Sequence, residues 1–215
     1  LYVGRVKKMI MGLLGKDREG LRSLINLIAA FMPAAVFGLL LNKLIKQYLF
    51  GPWPVVAAWF IGGVAILVVG RMKMNGRGRR MGGKLLDDMN CRMAVIIGLA
   101  QCVAMWPGVS RSLATIVGGL LVGLSLSAAV EFSFLLGVVT LGAATAYDGL
   151  KHGKVMLQTF DAMPLAVGLF FAFISAVISI KWMVSYLNRH GLEIFGYYRI
   201  ALAVVVGALI VAGIL

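Results

Sequence analysis

Apolar residues arrive in long runs along this chain, and polar residues gather between them. Leu24 to Leu41 reads LINLIAAFMPAAVFGLLL, and residues 54 to 70 read PVVAAWFIGGVAILVVG. Each run approaches the ~20 residues needed to cross a ~30 Å hydrocarbon core as a helix. The pattern predicts three further spans, over about 127–147, 163–187 and 194–214. Pro33 falls inside the first span, where neighbouring helices can satisfy the carbonyl it frees. FGPWP at 50–54 is a turn carrying Trp53 at the interface. Lys181 lies near the end of its span, where it can snorkel.

Two apolar segments are shorter. Met93 to Trp106 would be about 21 Å long as a helix, and Ser112 to Leu124 about 20 Å. Neither spans comfortably alone, and Pro107 and Gly108 break the chain between them. Short apolar halves interrupted by Pro and Gly predict a re-entrant helix pair over 93–124, with its polar tip at membrane depth. The competing reading is one long kinked helix. The expected fold is therefore an all-α polytopic transmembrane bundle with a re-entrant helix-loop-helix. It forms a single integral membrane domain over 1–215, since no polar linker divides the apolar segments.

Composition agrees. The chain is 61% hydrophobic and 13% charged, far less charged than a soluble domain of 215 residues. Its net charge of +13 does not argue for nucleic acid, because the cations cluster in loops between apolar segments. That is the pattern of cytoplasmic loops and of contact with anionic headgroups. Residues 1–23 and 71–92 hold most of them and flank the same two-span hairpin, which puts both on the cytoplasmic side. Cys91 and Cys102 form no metal or redox spacing and read as free thiols. His152 and His190 are far apart and carry no assigned role.

The chemistry concentrates in WPGVSRSLATI, residues 106–116. Ionisable groups inside a membrane are costly and tend to be functional. Arg111 stays charged and offers a planar fork suited to phosphate oxygens. Ser110, Arg111 and Ser112 would open a helix whose unpaired N–H groups and positive dipole end attract anions. Ser112 and Thr115 add hydroxyls one turn apart. The candidate site is thus Gly108, Ser110, Arg111, Ser112 and Thr115, a phosphate cradle made of donors, with Ser110 and Arg111 the candidate catalytic pair. The plainer alternatives are that Ser110 is only an N-cap, that Thr115 bonds back to its own helix, and that Arg111 pairs with Glu131. Glu131 is the acidic residue deep in an apolar run; it could bind metal or act as a base, or be a counter-ion or a satisfied polar contact. GLLVG at 119–123 has the GxxxG spacing of close helix packing.

PGVSRSLATI resembles the PGxSRSGATI signature of the undecaprenyl-pyrophosphate phosphatases, the bacitracin-resistance family. LLDDMNCRMAVIIGLAQCVAMWPG before it and GGLLVGLSLSAAVEFSFLLGVVTLGAATAYD after it agree in order and spacing, as does LINLIAAFMPAAVFGLLL. The resemblance implies a multi-pass hydrolase of the bacterial inner membrane that removes the terminal phosphate of undecaprenyl diphosphate, recycling the lipid carrier of peptidoglycan synthesis. It implies two inverted repeats whose re-entrant tips meet at the active site, with Arg111 holding the diphosphate and Ser110, Ser112 and Thr115 lining its pocket. It also implies a divalent cation, Mg or Ca. The expected partners are the polyprenyl diphosphate lipid and the membrane, with a homodimer compatible.

Two departures stand out. Leu113 occupies the place of the signature's second Gly. An earlier family motif, an acidic ExxxE stretch followed by PVSSTGH that supplies the glutamates implicated in metal binding, has no counterpart here. The chain starts at Leu1, about where the family's second membrane helix ends, and no signal peptide is visible. The expectation is a fragment that lost its first re-entrant pair and does not turn over alone, with an inactive homologue as the alternative. The type 2 phosphatidic-acid phosphatases require a histidine where counting from Arg111 reaches Val117, which makes that reading a poor one. An anion or lipid-headgroup transporter is the rival of another class, since a donor-rich re-entrant tip also suits binding without chemistry.

Overall fold

Hydrocarbon gives a backbone N–H no partner, so apolar runs of this length close their hydrogen bonds internally as helices. The computed structural model describes residues 2–74, 83–159 and 162–214. Its order is α1 (Val3–Leu13), α2 (Arg18–Tyr48), α3 (Pro52–Met74), a 3-10 turn (Leu86–Asp88), α4 (Cys91–Val103), α5 (Arg111–Leu121), α6 (Leu126–Thr159), α7 (Ala162–His190) and α8 (Glu193–Val211). No strand occurs among the described residues, and Lys84 and Leu124 form an isolated parallel bridge. Five of these helices are long and apolar enough to cross a membrane: α2, α3, α6, α7 and α8. Pro33 sits within α2, which continues through it. Most of the basic loop, residues 75–82, lies outside the described residues.

The two short apolar segments form separate helices, α4 and α5, and the break between them holds Pro107 and Gly108. Glycine and alanine bring this pair close to its neighbours. A side chain at Gly98 would meet the backbone of Ala30 on α2, its Cα at 2.9 Å. One at Gly118 would meet the Ala100 Cβ on α4 at 2.8 Å, and one at Gly119 the Ala129 Cβ on α6 at 2.8 Å. Gly119 therefore does the close packing that the 119–123 spacing suggested. Gly123 does not: with φ +96° and open space within 4 Å of where a Cβ would sit, it ends α5 as a turn. The Leu124 N–H closes that turn onto the Gly119 carbonyl at 2.9 Å, a Schellman-type ending.

The core runs through Leu27 and Ala30 of α2, Ala94 and Ile97 of α4, Ile116 and Leu120 of α5, and Ala129, Val130, Phe132 and Leu136 of α6. Asn26, buried in α2, donates to the Met89 carbonyl at 2.9 Å, and Asn90 caps α4 by accepting from the Met93 N–H at 2.9 Å. By contrast α3 packs chiefly on α8 and meets the rest mainly at α5.

An ion triad fastens the polar end. Arg5 of α1 makes a bidentate contact with Asp87 and donates through Nε to Glu131 of α6 at 2.9 Å. Hydrogen bonding to Arg5 holds the Asp87 carboxyl below its ordinary range, and the same bond raises Arg5. A carboxylate with a depressed folded pKa stabilises the fold above its unfolded value, about 3.9, and loses that contribution as pH falls through the folded value. In detergent, the stability difference between wild type and Asp87→Asn should be about 1 kcal/mol at neutral pH, as for a partly exposed pair. It should stay constant down to about pH 5, shrink as pH falls through about 4, and be lost only once pH is below the depressed folded value. Thermal unfolding monitored by circular dichroism measures it. Gly98→Ala should destabilise by about 1–3 kcal/mol at any pH in the same assay, since its methyl meets backbone that cannot turn aside.

Candidate anion-binding tip

The turn between α4 and α5 is built from short backbone bonds. Ala104, Met105 and Trp106 N–H groups donate to Gln101, Cys102 and Val103 carbonyls at 3.0, 3.1 and 3.2 Å, and Val109 donates to Trp106 at 3.1 Å. These satisfy carbonyls that the end of α4 would leave open. Two residues then turn the chain with positive φ, Gly108 at +96° and Ser110 at +60°. Gly108 needs its missing side chain as well as its φ, because a Cβ there would meet the Val55 carbonyl oxygen at 3.0 Å and the Ala58 Cβ at 3.2 Å. Ser110 is the one non-glycine residue with positive φ among those described. Strain of that kind, of order 1–3 kcal/mol, gathers at functional sites.

Ser110 occupies the N-cap position of α5, yet its side chain makes no capping hydrogen bond. The plain N-cap alternative therefore does not describe it, and its residue is exposed. The first bond of α5 runs from the Ala114 N–H to the Ser110 carbonyl at 3.0 Å. The N–H groups of Arg111, Ser112 and Leu113 precede that bond and donate to no group among the described residues. No acidic residue stands in this first turn. Such a terminus, with open donors and a positive dipole end, favours an anion.

Arg111 is half-buried and lies across Gly137 of α6, where an added Cβ would come within 2.5 Å of Nη2 and 2.9 Å of Nη1. Gly137 is thus the notch that admits the guanidinium. Arg111 forms no ion pair among the described residues, and its Nη1 is buried without a hydrogen-bond partner. Glu131 does not serve it, because that carboxylate is joined to Arg5. The alternative that Arg111 pairs with Glu131 is corrected on this point: Glu131 is a satisfied polar contact of α1.

The remaining candidates divide. Ser112 is half-buried, and its carbonyl accepts from Thr115 Oγ1 at 3.0 Å and Ser133 Oγ at 3.3 Å. Thr115 is 1% exposed and turns its hydroxyl to Ser133 Oγ at 2.6 Å and to the Arg111 carbonyl at 3.0 Å. This is the back-bonded alternative: Thr115 ties the first turn of α5 to α6. Leu113 packs against the core, so it faces neighbouring side chains.

Two residues at the tip escaped the sequence reading. Gln101, at the end of α4, is 3% exposed, and neither polar atom of its carboxamide has a partner. Arg199 of α8 reaches the tip from the other side, and its Nη2 donates to the Gly108 carbonyl at 2.6 Å and the Ala58 carbonyl at 3.2 Å. Its Nε is buried and unpartnered. Among the described residues, the buried side-chain polar atoms lacking partners belong to Gln101, Arg111 and Arg199 alone. The signal for Arg199 was available, a cation inside the last apolar run.

The donor set of the tip suits an anion and does not fit a divalent cation. The described residues contain no group of three or more His, Cys, Asp or Glu able to hold a metal ion. Asp87 and Glu131 are both engaged by Arg5.

Replacing Ser110 with glycine should relax the backbone and raise stability by about 1 kcal/mol while removing a donor from the tip. Thermal unfolding of Ser110→Gly in detergent checks the gain; a loss of stability would show that the serine hydroxyl holds the turn.

A family profile described as "Bacitracin resistance protein BacA" matches residues 1–205. The chain is 45% identical over 203 residues to an "Undecaprenyl-diphosphatase" of Sorangium cellulosum (strain So ce56), covering 94% of this chain and 66% of that protein. It is 46% identical over 189 residues to an "Undecaprenyl-diphosphatase" of Nitrosomonas europaea, covering 88% and 67%. It is 42% identical over 205 residues to "Undecaprenyl-diphosphatase 2" of Rhodospirillum rubrum, covering 95% and 72%. The chain spans about two thirds of the length of these curated relatives. The five long apolar helices and these bacterial relatives make it a multi-pass protein of the bacterial inner membrane. With nearly the whole chain matched and identities of this size, it belongs to the family of bacitracin resistance protein BacA.

Proposed function

We propose that this chain is the diphosphate-binding part of an undecaprenyl-diphosphatase, acting on undecaprenyl diphosphate to leave the monophosphate carrier and free phosphate. The observation that carries the reading is the buried Arg111 Nη1, unpaired at a helix N-terminus whose own N–H groups are open. An unpaired donor at this depth is costly, and a phosphate oxygen would satisfy it. The relatives' names supply the substrate class.

The hydrolysis breaks the bond between the terminal phosphorus and the bridging oxygen. Water's oxygen ends on the released phosphate, and the bridging oxygen stays with the lipid monophosphate. Negative charge moves onto that bridging oxygen as the bond breaks, so fixed donors around the diphosphate lower the barrier. Arg111 neutralises the phosphate oxygens. Ser110, whose side chain is free of capping, presents its hydroxyl beside the reacting phosphate, and Ser112 lies one residue into the helix. Gly108 lets the turn form without a side chain in the way, and Thr115 braces the helix from behind. The re-entrant pair over 93–124 sets this tip at membrane depth, where an isoprenyl tail stays in hydrocarbon while its head docks. The tip offers donors and no group suited to activate water, so in this reading the 215-residue chain binds diphosphate and does not turn it over.

The chain purified into lipid nanodiscs should bind inorganic pyrophosphate, and Arg111→Ala should weaken that binding by about 100-fold, near 3 kcal/mol. Isothermal titration measures this, and unchanged affinity in the variant would end the reading. Phosphate release from farnesyl diphosphate should be absent; release at an enzymatic rate would show that this chain carries the whole chemistry. Counterflow of intact substrate across vesicles, with no phosphate released, would instead favour a headgroup transporter.

A further inference from the structure

The tip is held from both sides, and the two sides differ in kind. Against α4 and α6 it is held by close apolar packing and by the Thr115–Ser133 hydroxyl pair. Against α3 and α8 it is held by polar contacts on its backbone and rim. Trp106 Nε1 donates to the Pro54 carbonyl at 3.0 Å. Arg199 donates to the Gly108 carbonyl at 2.6 Å while resting on the Ala58 carbonyl at 3.2 Å.

We propose that Arg199 is a positioning residue: its guanidinium clamps the Gly108 carbonyl to α3 and so fixes the direction in which the donors of Ser110, Arg111 and Ser112 point. The structure around it is shaped for that task. Gly62 leaves room for the guanidinium, since a Cβ there would come within 2.7 Å of Nη2 and 3.2 Å of Cζ. Gly63 and Gly196 let α3 and α8 approach closely, each lacking a side chain where the other helix's backbone carbonyl lies 2.9 to 3.1 Å away. The arginine is thus carried to the tip by a rigid two-helix contact. No acid neutralises it among the described residues, and its partners are carbonyl oxygens.

The peptide it holds lies between a glycine that positive φ suits and a serine that it strains. Gly108 is at φ +96° and Ser110, two residues on, is at φ +60° without a capping bond to keep it there. A backbone in such a region persists only when its surroundings over-determine it. Pinning the Gly108 carbonyl removes the freedom of this peptide to rotate and let Ser110 relax to negative φ. Arg199 therefore acts through the turn and the orientation of its donors, and its own contact with ligand is not required.

The consequence for the diphosphate rests on the function proposed above, while the geometric claim does not, and the test separates them. Cys91 and Cys102 are replaced by serine and alanine, and Ser110→Cys is introduced as a reporter. The rate at which a water-soluble methanethiosulfonate labels position 110 is then measured in nanodiscs. Arg199→Met and Gly62→Ala, the second leaving the charge in place and only displacing the guanidinium, should each change that rate by more than about threefold, as local opening of the turn requires. Arg199→Lys should fall between, because an ammonium can donate to both carbonyls, as Nη2 alone does, but rides on a flexible stem without the planar group that Gly62 receives. With Ser110 intact, the same variants should weaken pyrophosphate binding by about tenfold, the equivalent of about 1.4 kcal/mol. Labelling unchanged within that margin in Gly62→Ala and in whichever Arg199 variants fold would overturn the proposal, even if melting temperatures fall, because loss of stability alone is what a merely structural arginine gives. Altered labelling in a protein whose parent binds no pyrophosphate would support the clamp and overturn the diphosphate reading.

Discussion

The structure depends on one electrostatic constraint: a buried guanidinium nitrogen, Arg111 Nη1, is kept without an acceptor beside a helix N-terminus whose N–H groups are open. A buried polar atom with no partner is costly. Arg111, Gln101 and Arg199 concentrate that cost in one place, and the surrounding helices supply the compensation. The apolar contacts of α4, α5 and α6 close through Gly98, Gly118 and Gly119, where small residues let backbones approach. Glu131, the acid weighed as counter-ion to Arg111, is committed elsewhere, sharing Arg5 with Asp87. The ion triad at the polar end thus matters to the tip by what it withholds from it.

Much of the architecture was legible because the bilayer simplifies the problem. A run that must satisfy its own backbone has little choice but a helix, and run length gives its extent. The spans expected from Leu24, residue 54 and residues 127, 163 and 194 onward each coincide with one of the five long apolar helices. The short runs at 93–106 and 112–124 became α4 and α5, each ending three residues early because turns take up Ala104, Met105 and Trp106 after the first and Val122, Gly123 and Leu124 after the second. Pro107 and Gly108 announced the break through local backbone chemistry, which a single sequence does carry.

Partnership was not legible in the same way. Nothing near Glu131 in the chain points to Arg5, which lies 126 positions away. Thr115 has the spacing of a pocket hydroxyl, but Ser133 on the next helix turns it inward, and only the fold brings those two together. Gln101 reads as an ordinary helix residue until its burial is known. Arg199 was visible as a cation in an apolar run, yet its position relative to the tip depends on how α8 lies against α3. The family signature pointed to Ser110 and Arg111, and it was silent on what supports them.

Helices α1, α2, α4, α5 and α6 supply most of the core, to which α3 adds Ile66 and Val69 and α7 adds Val184 and Leu187, while α3 and α8 pack chiefly on each other and the former also meets α5. The break before α5 is therefore a mechanical joint, with Trp106 and Gly108 as its pins. Spanning helices tilt to match the thickness of the surrounding hydrocarbon. A change in tilt of the α3–α8 pair would be delivered to these two pins, so this turn is where the thickness of the surrounding hydrocarbon would bear on the start of α5.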